Sequence, residues 1–140
     1  MDDSTLTTTL CSMLAAAVDG WEWRPAGPAY TAGEVGVFYR EYAATPDAAV
    51  AVALYGADDD VVTGLAVRRV QLRFRGAPRA QASADVMADA AFEALQGVVR
   101  AGGLSQVRRL FMASLGTDSN GRPERADSYQ IVIDNPEATP

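Results

Sequence analysis

Residues 67–97 contain a strand and a helix of opposite character, and this pair constrains the fold more than any other part of the chain. Positions 69–75 read RVQLRFR, in which polar and apolar side chains alternate with a period of two. Val70, Leu72 and Phe74 therefore form the buried face of a predicted strand, and arginines with one glutamine form its other face. The strand is expected to end at the following Gly-Ala-Pro, because proline lacks a backbone donor and restricts the residue before it.

An amphipathic helix is predicted after this turn. Its apolar positions recur every three or four residues, and its polar positions lie on the opposite side. The apolar set is Ala84, Met87, Ala91, Ala94, Leu95 and Val98, and the polar set is Asp85, Asp89, Glu93, Gln96 and Arg100. We expect Gly97, together with Gly102 and Gly103, to end the helix and loosen the connection that follows.

A second helix is predicted near the N-terminus, with Ser4 or Thr5 as its cap and Gly20 at its end. Its apolar side comprises Leu6, Leu10, Met13, Leu14 and Ala17. Because three consecutive threonines lower its intrinsic propensity, this helix is expected to be held by packing on the sheet.

Alternation predicts further strands at residues 48–55, at 107–115 and around Tyr129, Ile131 and Ile133. Within 107–115, one face is expected to carry Val107, Phe111, Ala113 and Leu115. These elements predict an α+β fold with a mixed or mainly antiparallel sheet of about four strands packed against two helices, in the order α-β-β-α-β-β. Residues 1–134 are expected to form a single domain, and residues 135–140 a flexible C-terminal tail.

The segment between Trp21 and Asp47 contains most of the aromatic side chains between several prolines and glycines. One interpretation is an irregular connection, with a short strand at 35–39, whose aromatics close the edge of the core. The other is a protein contact surface that includes Trp21, Trp23 and Tyr39. Both interpretations remain open, and each can hold for different residues.

Composition argues against several classes of function. The chain has no histidine, which removes the commonest general base and the commonest zinc ligand. No phosphate-binding loop or nucleophile with an adjacent base is present, so we expect no enzyme activity, no cofactor and no metal. The single cysteine, Cys11, is interpreted as a buried apolar side chain. No apolar run reaches the roughly 20 residues that cross a bilayer, so no membrane association is expected.

Two short motifs resemble cation sites but are better explained by local structure. The sequence GADDD at 56–60 is expected to be a solvated acidic loop, since no further oxygen ligands converge on it. The sequence DSNG at 118–121 lacks the remaining ligands of a calcium loop. Asn120 and Gly121 are instead predicted to form a tight hairpin turn of the primed type.

Three motifs in order, RVQLRFRGAP at 69–78, ADAAFEALQG at 88–97 and SLGTDSNGRPERADSYQIVI at 114–133, resemble the tail terminator or minor capsid family of siphophages. In that family a strand ends in a basic Arg-Gly turn, a helix with an alanine-aspartate-alanine step follows, and a terminal hairpin carries the motif LG.D.NGR.E. The resemblance covers roughly residues 38–133.

The resemblance implies a virion structural protein at the junction of tail and neck, made in the host cytoplasm. Protomers, usually six, close into a ring on the tail tube, halt its polymerisation and provide the surface for head–tail joining. The implied partners are further copies of the chain, the major tail tube protein and a head-completion or neck protein, with phage DNA passing through without sequence-specific contacts. Two alternatives remain: another neck or head-completion protein, and a small cellular α+β binding module or enzyme.

The candidate interface combines one basic and one acidic surface. All 12 basic residues of the chain are arginines, and the net charge is −6, which argues against general nucleic-acid affinity but permits a local basic strip. That strip contains Arg68, Arg69, Arg73, Arg75 and Arg79. Arg69, Arg73 and Arg75 share one face of the predicted strand and form the arginine row. It has three interpretations: a solvated sheet face, the lining of a DNA passage, or a partner for the acidic helix side of a neighbouring subunit. The acidic side comprises Asp85, Asp89 and Glu93.

Overall fold

The computed structural model describes residues 1–96 and 102–134. Within them lie two helices and six strands in the order α-β-β-β-β-α-β-β. The elements are α1 (Asp3–Ala17), β1 (Trp21–Trp23), β2 (Val35–Tyr39), β3 (Ala49–Asp59), β4 (Ala66–Arg75), α2 (Ser83–Leu95), β5 (Leu104–Thr117) and β6 (Pro123–Ile133). Gly97, Val98, Arg100 and residues 135–140, for which a helix end and a flexible tail were predicted, lie outside the described residues.

All six strands form one mixed sheet in the order β1-β2-β3-β4-β6-β5. The strands β1, β2 and β3 run parallel to one another, and the remaining neighbours are antiparallel. The predicted α+β class and two-helix layer are therefore confirmed, but the predicted number of about four strands was too low. Strand β2 corresponds to the short strand at 35–39 that one interpretation of the aromatic segment included. Strand β1 was missed because it has only three residues and pairs in parallel, so no hairpin turn marks its position.

Both helices cover the same face of the sheet. In β4, Val70, Leu72 and Phe74 point towards the helices as predicted, and all three are fully or almost fully buried. Helix α1 packs on β1, β2 and β3, and α2 packs on β4, β5 and β6. Neither of the two described helices lies on the opposite side of the sheet, and we call that side the helix-free face. It contains the polar side of β4, and the part of this face that residues 43–47 leave uncovered is available for other contacts.

The cap of α1 differs from the prediction by two or three positions. The carboxylate of Asp2, and not the hydroxyl of Ser4 or Thr5, accepts a hydrogen bond of 2.7 Å from the backbone nitrogen of Thr5. This bond lowers the pKa of Asp2. The apolar side of α1 is buried through Leu6, Leu10 and Leu14, as the periodicity predicted.

Strand β5 does not keep the side-chain alternation predicted for it. The pairing with β6 shifts between Arg109 and Phe111, which is a bulge that inserts Leu110. Before the bulge Val107 faces the helices, but after it Met112 does so while Phe111 turns to the helix-free face. The predicted common face of Val107, Phe111, Ala113 and Leu115 is therefore wrong, because the inserted residue places Phe111 and Ala113 on the face opposite Val107, and a further register shift between Ser114 and Gly116 changes the parity again.

The connection between β5 and β6 is a turn, as predicted, but it is a five-residue loop and not a two-residue primed turn. Gly121 has a φ of +75°, whereas Asn120 does not adopt positive φ. The Asp118 carboxylate accepts hydrogen bonds from the backbone nitrogens of Asn120 and Arg122, both at 2.9 Å. These backbone bonds and the Arg122 guanidinium lower the pKa of Asp118. The Asp118 carboxylate therefore stabilises the loop in which it lies.

Candidate assembly surfaces

The arginine row lies along β4 on the helix-free face, as the alternation predicted. The residues directly opposite these arginines on the neighbouring strand β3 are small, so they leave space above the sheet for the arginine side chains. The register pairs Arg69 with Gly56, Arg73 with Ala51 and Arg75 with Ala49. The three arginines nevertheless differ in their surroundings, and only two of them are exposed.

Arg75 is buried, with 4% of its surface exposed, contrary to the expectation that the whole row is a surface feature. Its guanidinium donates hydrogen bonds to three backbone carbonyls of one loop, those of Ala43, Pro46 and Asp47, at 2.7 to 2.8 Å. Burial, and secondarily the charge of Arg122, lower the pKa of Arg75. The hydrogen bonds of Arg75 therefore hold residues 43–47 across the end of the sheet, and its side chain does not project from the sheet into solvent.

A second arginine, Arg122, holds the same loop. Its side chain is 8% exposed and donates to the carbonyl of Ala44 at 2.8 Å and to the carboxylates of Asp118 and Asp47 at 2.8 and 3.2 Å. The sequence analysis did not single out Arg122, although it follows the turn glycine directly. Two buried arginines therefore hold the 43–47 loop.

Arg73 is partly exposed, with 47% of its side chain accessible. It lies 3.5 Å from Glu124 of β6, and its guanidinium carbon is 5.7 Å from the centre of the Tyr42 ring. The hydroxyl of Tyr42 donates to Glu124. Burial, and next the hydrogen bond to Glu124, raise the pKa of Tyr42 to about 12. Arg73 is thus oriented by its neighbours while its outer surface remains free to meet a partner.

Arg69 and Arg108 form the exposed basic part of the helix-free face. Both pair with Gln130, which lies between them on β6, so the two guanidiniums project from the same side of the sheet. Within residues 1–96 and 102–134, neither has an ion-pair partner. Arg108 was not among the predicted interface residues, yet the predicted alternation of β5 already placed it opposite Val107.

The predicted acidic residues lie on α2, on the other side of the molecule. Asp85 pairs with Arg125 at 3.0 Å within the protomer and keeps 61% of its side chain exposed. Asp89 and Glu93 are exposed and form no ion pair with any described residue. The basic and acidic surfaces therefore face in opposite directions, and no described contact joins Arg69 or Arg73 to this acidic side.

A buried charged cluster lies between α2 and the end of the sheet and was not predicted. The Asp127 side chain is fully buried and accepts from Arg125 at 2.8 Å, and Arg109 lies 3.5 Å from it. Arg109 also stacks on the Phe92 ring of α2, at 4.0 Å from its centre. Burial, and next the charge of Asp127, raise the pKa of Tyr129 to about 12. The even spacing of Arg125, Asp127 and Tyr129 along β6 is the signal that places these residues under the helix.

The aromatic residues divide between the two interpretations left open. Trp21 is 5% exposed and belongs to the core, and Trp23 packs against that core while remaining partly accessible. Tyr39 is 39% exposed, and the Arg40 guanidinium lies over its ring. Trp21 therefore closes the edge of the core, whereas Tyr39 is accessible to a partner.

Several large apolar side chains are exposed in two places. One is the tip of the β3–β4 hairpin, where Val61 is 98% and Val62 95% exposed. The other is the outer half of the edge strand β5, where Phe111, Met112 and Leu115 are about half exposed. Sequence analysis did not identify either patch, because exposure of an apolar side chain depends on what the fold leaves uncovered.

The described part of the chain contains no group of three or more cysteine, aspartate or glutamate side chains arranged to hold a metal ion. Among its helices, none combines the length and the apolar character needed to cross a membrane.

Comparison with known proteins identifies the family. Residues 16–135 match the model of the family described as bacteriophage tail terminator protein. A chain from the virion of a native gene transfer agent particle has a similar fold, with a TM-score of 0.51 and 19% sequence identity over 70% of this chain and 78% of that one. No curated protein matches the chain. Since the family model spans most of its length, the chain belongs to the bacteriophage tail terminator family of virion structural proteins.

Proposed function

We propose that this protein closes into a ring of about six identical copies on the end of a phage tail tube, stops its polymerisation, and presents a surface for head–tail joining. The observation that supports the proposal is the placement of opposite charges on opposite faces. Arg69, Arg73 and Arg108 project from the helix-free face, and Asp89 and Glu93 from α2.

Such a distribution suits a head-to-tail contact, in which the basic face of one copy meets the acidic helix side of the next. A contact between two different surfaces repeats from copy to copy and closes into a ring when the rotation between copies permits it. A two-fold dimer would instead place like charges together, which is unfavourable. The role is structural and involves no catalysis.

The partners in this proposal are the copies themselves, the major tail tube protein, and a head-completion protein on the opposite side. Phage DNA passes through the ring without sequence-specific contacts. The finished protein resides at the tail–neck junction of the virion, after assembly in the host cytoplasm. Joining to purified tail tubes, but not to portal, distinguishes this role from that of another neck protein.

The decisive experiment combines charge removal with charge reversal. An Arg69→Ser, Arg73→Ser variant retains Arg75, so it should fold normally but produce overlong tails or tails that never join heads in electron micrographs. Reversal by Arg69→Glu and Arg73→Glu should also fail, and adding Asp89→Arg and Glu93→Arg should restore assembly. Normal tails with the double serine variant would refute the proposal that the row is an interface.

A DNA-lining role for the row gives a different result. In that case the double serine variant would cap tails normally. Adding Asp89→Arg and Glu93→Arg to the double glutamate variant would not restore DNA passage. Melting curves of each purified variant separate either outcome from a simple failure to fold.

A further inference from the structure

The tip of the β3–β4 hairpin is an ordered structure that exposes two apolar side chains. Asp60 accepts hydrogen bonds from the backbone nitrogens of Val62 and Thr63 at 2.8 and 3.1 Å, and its own backbone nitrogen donates to Leu65 at 2.9 Å. These bonds hold the turn in one conformation. Val61 and Val62 are consequently presented to solvent at almost full exposure, with little conformational entropy left to lose on binding.

A shallow apolar groove lies elsewhere on the same protomer. Its volume is about 520 Å³, and its walls come from the segment before α2, the first turn of α2 and the beginnings of β2 and β3. Val86, which is 64% exposed, and Met87 form the helix side of the groove, and Val35 and Ala48 form the strand side. The groove is therefore lined almost entirely by aliphatic side chains.

The tip and the groove cannot meet within one protomer. The groove includes Ala48, just before the first residue of β3, whereas the tip follows the last residue of this 11-residue strand. At roughly 3.3 Å per strand residue they are about 35 Å apart. Each copy therefore offers one tip at one end of the sheet and one groove at the other, as a repeating contact requires.

The charges beside the two features are complementary. Asp58 and Asp60 precede the valines and are exposed, without an ion-pair partner among the described residues, whereas Asp59 pairs with Arg68. Arg79 lies in the segment that walls the groove, is exposed, and likewise forms no ion pair within the described ranges. Asp85, next to Val86, is already paired with Arg125, and Asp89 lies further along α2. An acidic apolar tip thus matches an apolar groove with a cation on the segment that lines it.

We infer that the β3–β4 hairpin tip of one copy, through Val61 and Val62, docks into the groove formed by Val86 and Met87 of the next copy. The inference rests on the proposed ring, to which it adds a specific contact between neighbouring subunits. Because tip and groove are different surfaces, the contact repeats around the assembly and leaves neither unpaired once the ring closes.

Site-specific cross-linking tests the contact. A chain carrying Val62→Cys and Val86→Cys, treated with a short bis-maleimide, should give a ladder of covalent oligomers that ends at the closed ring. Each single-cysteine variant should give dimers at most. The native thiol does not interfere, because Cys11 is fully buried and burial raises its pKa to about 12. Rings that form without any ladder, or cross-links only to tail tube protein, would overturn the inference.

Assembly measurements provide an independent readout. Val62→Ser should raise the concentration at which rings form at least tenfold in sedimentation velocity, while Val62→Leu keeps assembly and Leu115→Ser, on another exposed patch, leaves it unchanged. Arg79→Glu should weaken assembly, and Asp58→Arg should restore it. Wild-type assembly by Val62→Ser would overturn the hairpin contact alone. A wild-type protein that never self-associates, in solution or on tail tubes, would overturn the ring as well.

Discussion

The guanidinium of Arg75 lies over the ring of Tyr42, with its central carbon 4.4 Å from the ring centre. The same guanidinium donates to three carbonyls of the 43–47 loop. Arg69, on the same face of the same strand, is exposed and has no ion-pair partner among the described residues. Arg69 and Arg75, which occupy equivalent positions in the alternating pattern of β4, therefore have different roles.

Replacing Arg75 should consequently destabilise the fold. Arg75→Ser removes three hydrogen bonds, of which only the one to Pro46 is buried, so water can replace the other two. Since a hydrogen bond to a charged group contributes about 1.5–3 kcal/mol, we expect a loss of roughly 2–4 kcal/mol. The matched variant Arg69→Ser should change the free energy of unfolding by less than about 0.5 kcal/mol. Urea unfolding of both variants checks the difference, and equal stabilities would contradict the structural role of Arg75.

The core position Phe74 tests the opposite face of the same strand. Phe74 is fully buried. Phe74→Ala should cost about 3–5 kcal/mol through lost burial and an unfilled cavity. Arg69→Ser again serves as the control from the helix-free face, and chemical denaturation with a spectroscopic probe measures both. A Phe74→Ala protein as stable as the control would show that the strand is not packed as described.

Gly76 is required by a close approach of the chain to the start of α2. A Cβ at this position would overlap Ser83 Oγ and come within 2.9 Å of the Ala84 backbone nitrogen. Gly76→Ala should therefore destabilise the protein by about 1–3 kcal/mol. At Gly33 a Cβ would meet nothing within 4 Å, so Gly33→Ala should be neutral or stabilise by up to about 1 kcal/mol. Thermal melts in which both variants behave alike would argue against this crowding.

The loop between β5 and β6 should be sensitive to the residue at its positive-φ position. Gly121 adopts a φ of +75°, and Gly121→Val should cost about 1–3 kcal/mol because a β-branched residue is strained there. Calcium should have no effect on the melting temperature, since the Asp118 carboxylate already accepts hydrogen bonds from two backbone nitrogens. A calcium-dependent rise in melting temperature, with normal stability of the valine variant, would instead identify a ligand site.

Stability should fall in acid. The pKa values of Asp2, Asp60 and Asp118 are lowered, chiefly by backbone hydrogen bonds to their carboxylates. Their contribution is present above the ordinary pKa of 3.8 and is lost as the pH falls through the lower folded values. Melting temperatures should therefore decline below about pH 4. Asp118→Ala should melt lower at pH 7 and lose less on acidification, and an identical pH profile would contradict the role of this carboxylate.

The strands and helices with strong periodicity were predictable from sequence alone. The alternation of residues 69–75 identified β4 and assigned Val70, Leu72 and Phe74 to its buried face, because backbone pleating alone determines that face. The spacing around Met87 likewise identified α2. The motifs also identified the tail terminator family, whose model matches residues 16–135.

Tertiary structure decided which of these residues are exposed and which are buried in contacts within the protomer. Periodicity assigns Arg69 and Arg75 to the same face, but only the return of the 43–47 loop buries one and leaves the other free. The bulge at Leu110 reverses the parity of β5 as far as Ser114 through a single inserted residue, which no local pattern reveals. The groove at the far end of β3 arises from contacts between segments distant in sequence, and Val61 and Val62 are exposed because no described segment packs over the hairpin tip. The arrangement of surfaces available for assembly therefore depends on long-range packing, whereas local periodicity determines the helices and strands that carry these surfaces.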